Sequence, residues 1–231
     1  MLLDKLGKEL LFFDGGMGTL LQKEGLQPGE LPENWNIEKK DVIRSIHRNY
    51  YEAGSNILLT NTFGANAVKY HDQAYTLKQI VNAAVENVKS VVEDAIVALD
   101  VGPTGKLLKP MGDLEFEEAY EAFKEVMIYG AQAGVDLIHI ETMSDTYELK
   151  AAVLAAKEES ELPVFATVTL DEKGKMLTGG NVESVTALLE GLGVDVIGLN
   201  CGLGPVQLLP LIRRMVEIAS VPVMVNPNAG L

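Results

Sequence analysis

Apolar residues recur along this chain in two alternating patterns, one with the spacing of helices and one with that of short buried strands. Leu77, Ile80, Val81, Ala84, Val85, Val88, Val91 and Val92 follow i, i+3, i+4 spacing, which predicts a long amphipathic helix. Ile37, Val42, Ile43, Ile46 and Tyr50 predict another, running from a cap at Asn36 to about Ala53. Further helices are expected over about 115–133, from a cap at Asp145 to about Glu159, over about 182–192, and from Pro205 onward. Between them lie apolar runs too short for helices, over 10–13, 57–60, 96–99, 137–140, 164–170, 196–199 and 221–225. Each reads as a buried strand.

Seven strands alternating with helices predict an α/β fold on the plan of the TIM (β/α)8 barrel, with the eighth βα unit missing from this chain. A recurring joint supports it. Gly54-Ser55-Asn56-Ile57, Gly134-Val135-Asp136-Leu137 and Gly193-Val194-Asp195-Val196 each place a helix-stopping glycine and a small polar link before a strand. A chain of 231 residues with 47% hydrophobic content is expected to form one domain over 1–231.

Charge and cysteine content narrow the function. A formal net charge of -14 repels phosphate backbones and anionic lipid, so neither nucleic acid nor membrane is an expected partner. Asp4, Lys5, Lys8 and Glu9 interrupt the apolar N-terminal segment, leaving neither a signal-peptide core nor a membrane span. With one cysteine there is no internal disulfide, and a cytoplasmic location is the expectation.

In a parallel α/β barrel, ligands bind at the carboxyl ends of the strands. That edge collects Asp14, Asn61, Asp100, Glu141, Thr169, Cys201 and Asn228. Cys201 leaves its strand just after Asn200 and is offered to a pocket, although a free cysteine also serves as a small hydrophobe. The run Asp14-Gly15-Gly16-Met17-Gly18-Thr19 offers turn amides to an anion, or is a plain tight turn. It is not a dinucleotide fingerprint, because Leu21 stands where the last glycine belongs. The run from Asp100 to Lys106 lacks phosphate-loop spacing. Asp14 and Asp100 can equally serve as caps for turn and loop amides. His139 reads as a hydrogen-bonded core residue, and His47 and His71 lack metal-ligand spacing.

These strand-end motifs carry a resemblance. Asp14 to Thr19, T-N-T-F-G-A at Thr60 to Ala65, D-V-G-P-T-G at Asp100 to Gly105, Glu141 to Asp145, N-C-G within Leu199 to Pro205, and P-N-A-G at Pro227 to Gly230 resemble the homocysteine S-methyltransferase domain. The form of the second motif is most similar to the cobalamin-dependent methionine synthase branch. The resemblance implies a barrel in which zinc, held by three cysteines, binds the sulfur of homocysteine, with Cys201 matching the first of them. The other two belong to a G-G-C-C motif that this sequence lacks. It also implies that Asp14, Gly15, Gly16 and Glu141 hold the amino-acid end of homocysteine beside Asn200. Methylcobalamin on a corrinoid-carrying domain or protein is the implied methyl donor. The alternative is a non-catalytic barrel module that binds an amino acid or a partner. Edges left open by an unformed eighth strand are expected to promote self-association.

Overall fold

The structure, a computed structural model, describes residues 2–70 and 73–229. His71, and Gly230 of the P-N-A-G run, lie outside the described residues. The strands are β1 (Ile57–Leu59), β2 (Ile96–Val101), β3 (Leu137–Met143), β4 (Val164–Val168), β5 (Val196–Asn200) and β6 (Val223–Asn226). The helices are α1 (Leu2–Lys5), α2 (Met17–Lys23), α3 (Trp35–Glu38), α4 (Lys40–Glu52) and α5 (Ala67–Tyr70), followed by α6 (Leu77–Lys89) and α7 (Phe116–Ala133). The last three are α8 (Thr146–Glu159), α9 (Val182–Gly191) and α10 (Pro205–Ile218).

The six strands form one parallel sheet in the order β1-β2-β3-β4-β5-β6. Parallel neighbours need crossovers of constant hand, so the intervening helices all fall on one side and the sheet curls into a half-barrel. Residue parity divides it in two. Leu58, Val97, Leu99, Ile138, Ile140, Ala166, Ile197 and Leu199 face the helices in the large core. Ile57, Ala98, Leu137, Phe165 and Val196 face the concave side, where Leu2, Leu6, Leu11 and Phe13 pack against them. Such alternation is what a period of two dictates.

The recurring joint does two jobs. Gly54, Gly134 and Gly193 all take positive φ (102°, 82° and 73°), which glycine adopts without the Cβ penalty other residues meet. The polar residue that follows then ties the incoming strand to its neighbour. Asp136 Oδ2 accepts from the Val97 amide at 2.8 Å, Asp195 Oδ2 from the Val164 amide at 2.8 Å, and Asn56 Oδ1 from the Phe12 amide at 2.9 Å.

Three expectations need correction. The run over 10–13 does not form a full strand. Only Phe13 bridges Ile57, with the Asn56 and Ile57 amides donating to the Phe12 carbonyl, so the sheet has six named strands among the described residues rather than seven. Leu10 and Phe12 are exposed, which removes the burial that would hold a longer ladder. Asn36 is not a helix cap. It is buried inside α3, its Nδ2 donates to the Asn61 carbonyl at 2.7 Å, and Lys39 breaks the helix with ψ 45°. His139 is buried as expected, but neither ring nitrogen has a hydrogen-bond partner; the ring lies 5.1 Å from that of Phe13. No helix among the described residues is long and apolar enough to cross a membrane.

Candidate functional site

The concave side of the sheet changes character along the strands. Its lower half is apolar, and its upper half, toward the strand carboxyl ends, carries Asp100, Thr167 and Asn200 at 7%, 0% and 1% exposure. Asp100 is registered with His139, His139 with Phe165, and Thr167 with Gly198, so these positions share the inward parity. Gly198 is required there, because an added Cβ would stand 2.2 Å from the Met224 carbonyl oxygen.

Asn200, the last residue of β5, is the hub. Its Oδ1 accepts from the Thr142 amide at 3.0 Å, while its Nδ2 reaches Glu141 Oε2 at 2.6 Å and Thr142 Oγ1 at 2.8 Å. Both amide hydrogens and the carbonyl are thereby used. The Thr142 hydroxyl lies 3.2 Å from Glu141 Oε2 and 3.7 Å from Cys201 Sγ. The ends of β3 and β5 are thus joined through Glu141, Thr142, Asn200 and Cys201. The backbone bends to achieve this. Thr142 (φ 59°) and Cys201 (φ 54°) are the two non-glycine residues with positive φ among those described, a conformation that costs a β-branched residue about 1–3 kcal/mol. The sequence places Thr142 at this strand exit beside Glu141, but no local signal there foretells left-handed backbone at a threonine.

Asp14 enters from the other side of the concave surface. Its amide donates to the Ile57 carbonyl at 3.0 Å and its Oδ2 accepts from the Leu59 amide at 3.1 Å, which leaves Oδ1 buried without a partner. Gly15 and Gly16 follow, and α2 begins at Met17. A Cβ at Gly15 would meet Tyr50 Oη at 2.7 Å, so the end of that side chain would have to move; the Gly16 carbonyl accepts from the same hydroxyl at 3.4 Å. Of the remaining rim residues, Asn61 is turned to structural use, donating to the Pro32 carbonyl at 2.9 Å. Asp145 caps α8 by accepting from the Tyr147 amide at 2.7 Å.

Electrostatics in the cluster follow from burial. Asp14 is raised well above the usual carboxylate range, first by desolvation and further by the negative charge of Glu141, against the Leu59 amide bond that lowers it. Asp100 is also raised well above that range by desolvation, then by Glu141 and Asp14. Burial pushes the Cys201 thiol up, the Thr142 hydrogen bond lowers it, and Glu141 raises it, so the thiol is protonated near neutral pH. His139 is held below its ordinary value by burial, hence neutral.

A model of the family described as homocysteine S-methyltransferase matches residues 11–231. The chain belongs to the homocysteine S-methyltransferase family. Methionine synthase of Mycobacterium tuberculosis is 35% identical over 250 residues, and that of Mycobacterium leprae 34%. Both alignments take in 100% of this chain but 21% of the relative, so the chain spans about one fifth of the length of the curated relatives it matches. The metallated form of the homocysteine methyltransferase MmuM from Escherichia coli shares the fold, with a TM-score of 0.86 at 22% identity over 99% of this chain and 86% of that one. The carboxyl transferase domain of Rhizobium etli pyruvate carboxylase is a more distant likeness of fold, at a TM-score of 0.56 and 15% identity.

The zinc implied by the family resemblance does not fit the residues here. The sequence has one cysteine, and no group of three or more His, Cys, Asp or Glu side chains among the described residues could hold a metal ion. Catalytic zinc takes three protein ligands, and around Cys201 the neighbours are the hydroxyl of Thr142 and the amide of Asn200.

Proposed function

We propose that this chain is the homocysteine-binding barrel domain, over 1–231, of a methionine synthase-type homocysteine S-methyltransferase. The fold reading that goes with it is a (β/α)8 barrel represented here without its last unit. The observation that carries the proposal is the joined cluster of Glu141, Thr142, Asn200 and Cys201, facing Asp14, at the carboxyl ends of the strands of a chain in this family. In this reading, Asp14 and Glu141 hold the ammonium of homocysteine, the amides of Gly15 and Gly16 its carboxylate, and Asn200 fixes the Glu141 carboxylate in place. The sulfur of homocysteine then lies toward Cys201; once its proton is lost to solvent, the thiolate would take a methyl group by in-line displacement, the donor–carbon bond breaking with both electrons left on the donor, giving methionine. Methylcobalamin on a separate corrinoid-carrying domain or protein is the donor. Zinc activation of the homocysteine thiol requires two further thiolates beyond Cys201, which this sequence does not contain. The setting is cytoplasmic, and neither nucleic acid nor membrane takes part.

A second reading is favoured by the single thiol: a module that binds the amino acid and does no zinc chemistry. Methionine formation from homocysteine and methylcobalamin, assayed with wild type and Cys201→Ser, tests the first. Turnover that depends on Cys201 supports it. Homocysteine binding without turnover, together with no stoichiometric zinc uptake in a titration, leaves the binding module, and failure to bind homocysteine overturns both.

A further inference from the structure

The register between β3 and β4 slips at the site. From Ile140 to Met143 β3 advances three residues while β4 advances two, from Ala166 to Val168, so Glu141 and Thr142 together oppose Thr167. One extra residue on one strand is a β-bulge, a device that re-aims side chains beside functional sites. The packing shows its effect. Ile140 and Met143 both lie in the core on the helix side, so the two residues between them are both given to the concave side, which strict alternation forbids. Thr142 takes the left-handed backbone this needs, at φ 59°, and its amide, lost to the ladder, donates to Asn200 Oδ1 at 3.0 Å.

Glycine is the ordinary occupant of a left-handed bulge position, and a β-branched residue is strained there. What the threonine brings instead is a hydroxyl. It accepts from Asn200 Nδ2 at 2.8 Å, which leaves one proton to give, with Glu141 Oε2 at 3.2 Å and Cys201 Sγ at 3.7 Å. Glu141 and Cys201 are both half-buried, hence open to a ligand. One oxygen therefore touches the group set against the ammonium of homocysteine and the group set against its sulfur. Strain that a native fold retains points to a use for the strained residue. We propose that Thr142 is a positioning residue, its hydroxyl holding the Glu141 carboxylate and the Cys201 thiol toward the two ends of one ligand. This rests on the proposed homocysteine reading and adds to it the residue that sets those two groups relative to each other.

The test separates this role from a structural one by sign. Thr142→Gly removes the hydroxyl and relieves the backbone, so its urea midpoint should be no lower than that of wild type, whereas losing a residue that only supports the fold lowers it. Calorimetric titration then compares L-homocysteine with L-2-aminobutyrate, which has the same amino-acid end and no sulfur. Thr142→Gly should weaken homocysteine by about tenfold or more and 2-aminobutyrate by about threefold or less, and Thr142→Ser should return homocysteine to within about threefold of wild type. Homocysteine affinity unchanged in Thr142→Gly, equal weakening of both ligands, a lowered urea midpoint, or no recovery with serine overturns the proposal and leaves the homocysteine reading standing. Wild type that binds homocysteine no better than 2-aminobutyrate overturns the reading and the proposal together.

Discussion

Replacing Asn200 with alanine removes the side chain that makes the shortest ties between β3 and β5 at the site. Three contacts to β3 go: the Thr142 amide loses its acceptor at 3.0 Å, Glu141 Oε2 its donor at 2.6 Å, and Thr142 Oγ1 its donor at 2.8 Å. An orphaned buried backbone donor costs about 1–3 kcal/mol, and a hydrogen bond to a charged group contributes about 1.5–3 kcal/mol. Glu141 is only half-buried, so water replaces part of its loss, and the hydroxyl of Thr142 can turn to Glu141 instead. The expected destabilisation of Asn200→Ala is about 3 kcal/mol, read as a lowered urea midpoint with an unchanged slope. The strained backbone at Thr142 adds a second expectation, because its left-handed conformation persists only while its surroundings hold it. Crystallography or NMR of the variant should find Thr142 relaxed to negative φ. A loss below about 0.5 kcal/mol, with Thr142 unchanged, would falsify the assignment of Asn200 as the hub.

Three further outcomes are expected. His47 is fully buried with neither ring nitrogen partnered, and burial lowers it to about 4, below the ordinary 6.5, so the unfolded chain takes up a proton first as pH falls. The stability this residue confers is complete above about pH 6.5 and declines by about 3 kcal/mol toward pH 4; His47→Leu should flatten that decline relative to wild type in urea melts across the range, and parallel curves refute it. Gly198→Ala drives a methyl group to 2.2 Å from the Met224 carbonyl oxygen and 2.7 Å from Met224 Cγ, so β6 must shift, at a cost of about 3 kcal/mol; a melting temperature within a degree of wild type contradicts the packing described. The concave seam between the N-terminal segment and β6, a groove of about 400 Å³ lined by Leu10, Phe12, Met224 and Val225, should make the chain self-associate; light scattering that stays monomeric over a hundredfold concentration series argues against it.

Much of this was legible in the chain because the fold repeats one device. A glycine with positive φ, a small polar residue and an apolar run recur at Gly54, Gly134 and Gly193, and β1, β3 and β5 follow them. The amphipathic run beginning at Leu77 became α6, which ends at Lys89 and leaves Val91 and Val92 outside it, with Thr76 and Gln79 forming a reciprocal cap no one residue announces. The first strand was misjudged for a physical reason. Residues 10–13 have the composition of a strand, but Leu10 and Phe12 remain exposed and pairing stops after Phe13. Asn36 misled similarly, since a cap and a buried tie to Asn61 use the same side-chain chemistry. At the site, residue types that end strands in acids, amides and a thiol could be seen. Their joining could not, because it depends on the left-handed backbone of Thr142 and Cys201 and on register between strands 58 or 59 residues apart. The loose ends of Asp100, Thr167 and His139 likewise emerge only once parity places them on one face.

Glu141 is where the proposed binding of homocysteine meets the hydrogen-bonded cluster, and its charge is the most exposed to a single test. Calorimetric titration of L-homocysteine into wild type and Glu141→Ala, each checked for folding, compares the site with and without that carboxylate. Removing the partner of a desolvated ammonium is expected to weaken binding by about 2–4 kcal/mol, at least thirtyfold. Equal affinity in the two proteins, within a few tenths of a kcal/mol, would contradict the placement of homocysteine between Asp14 and Glu141.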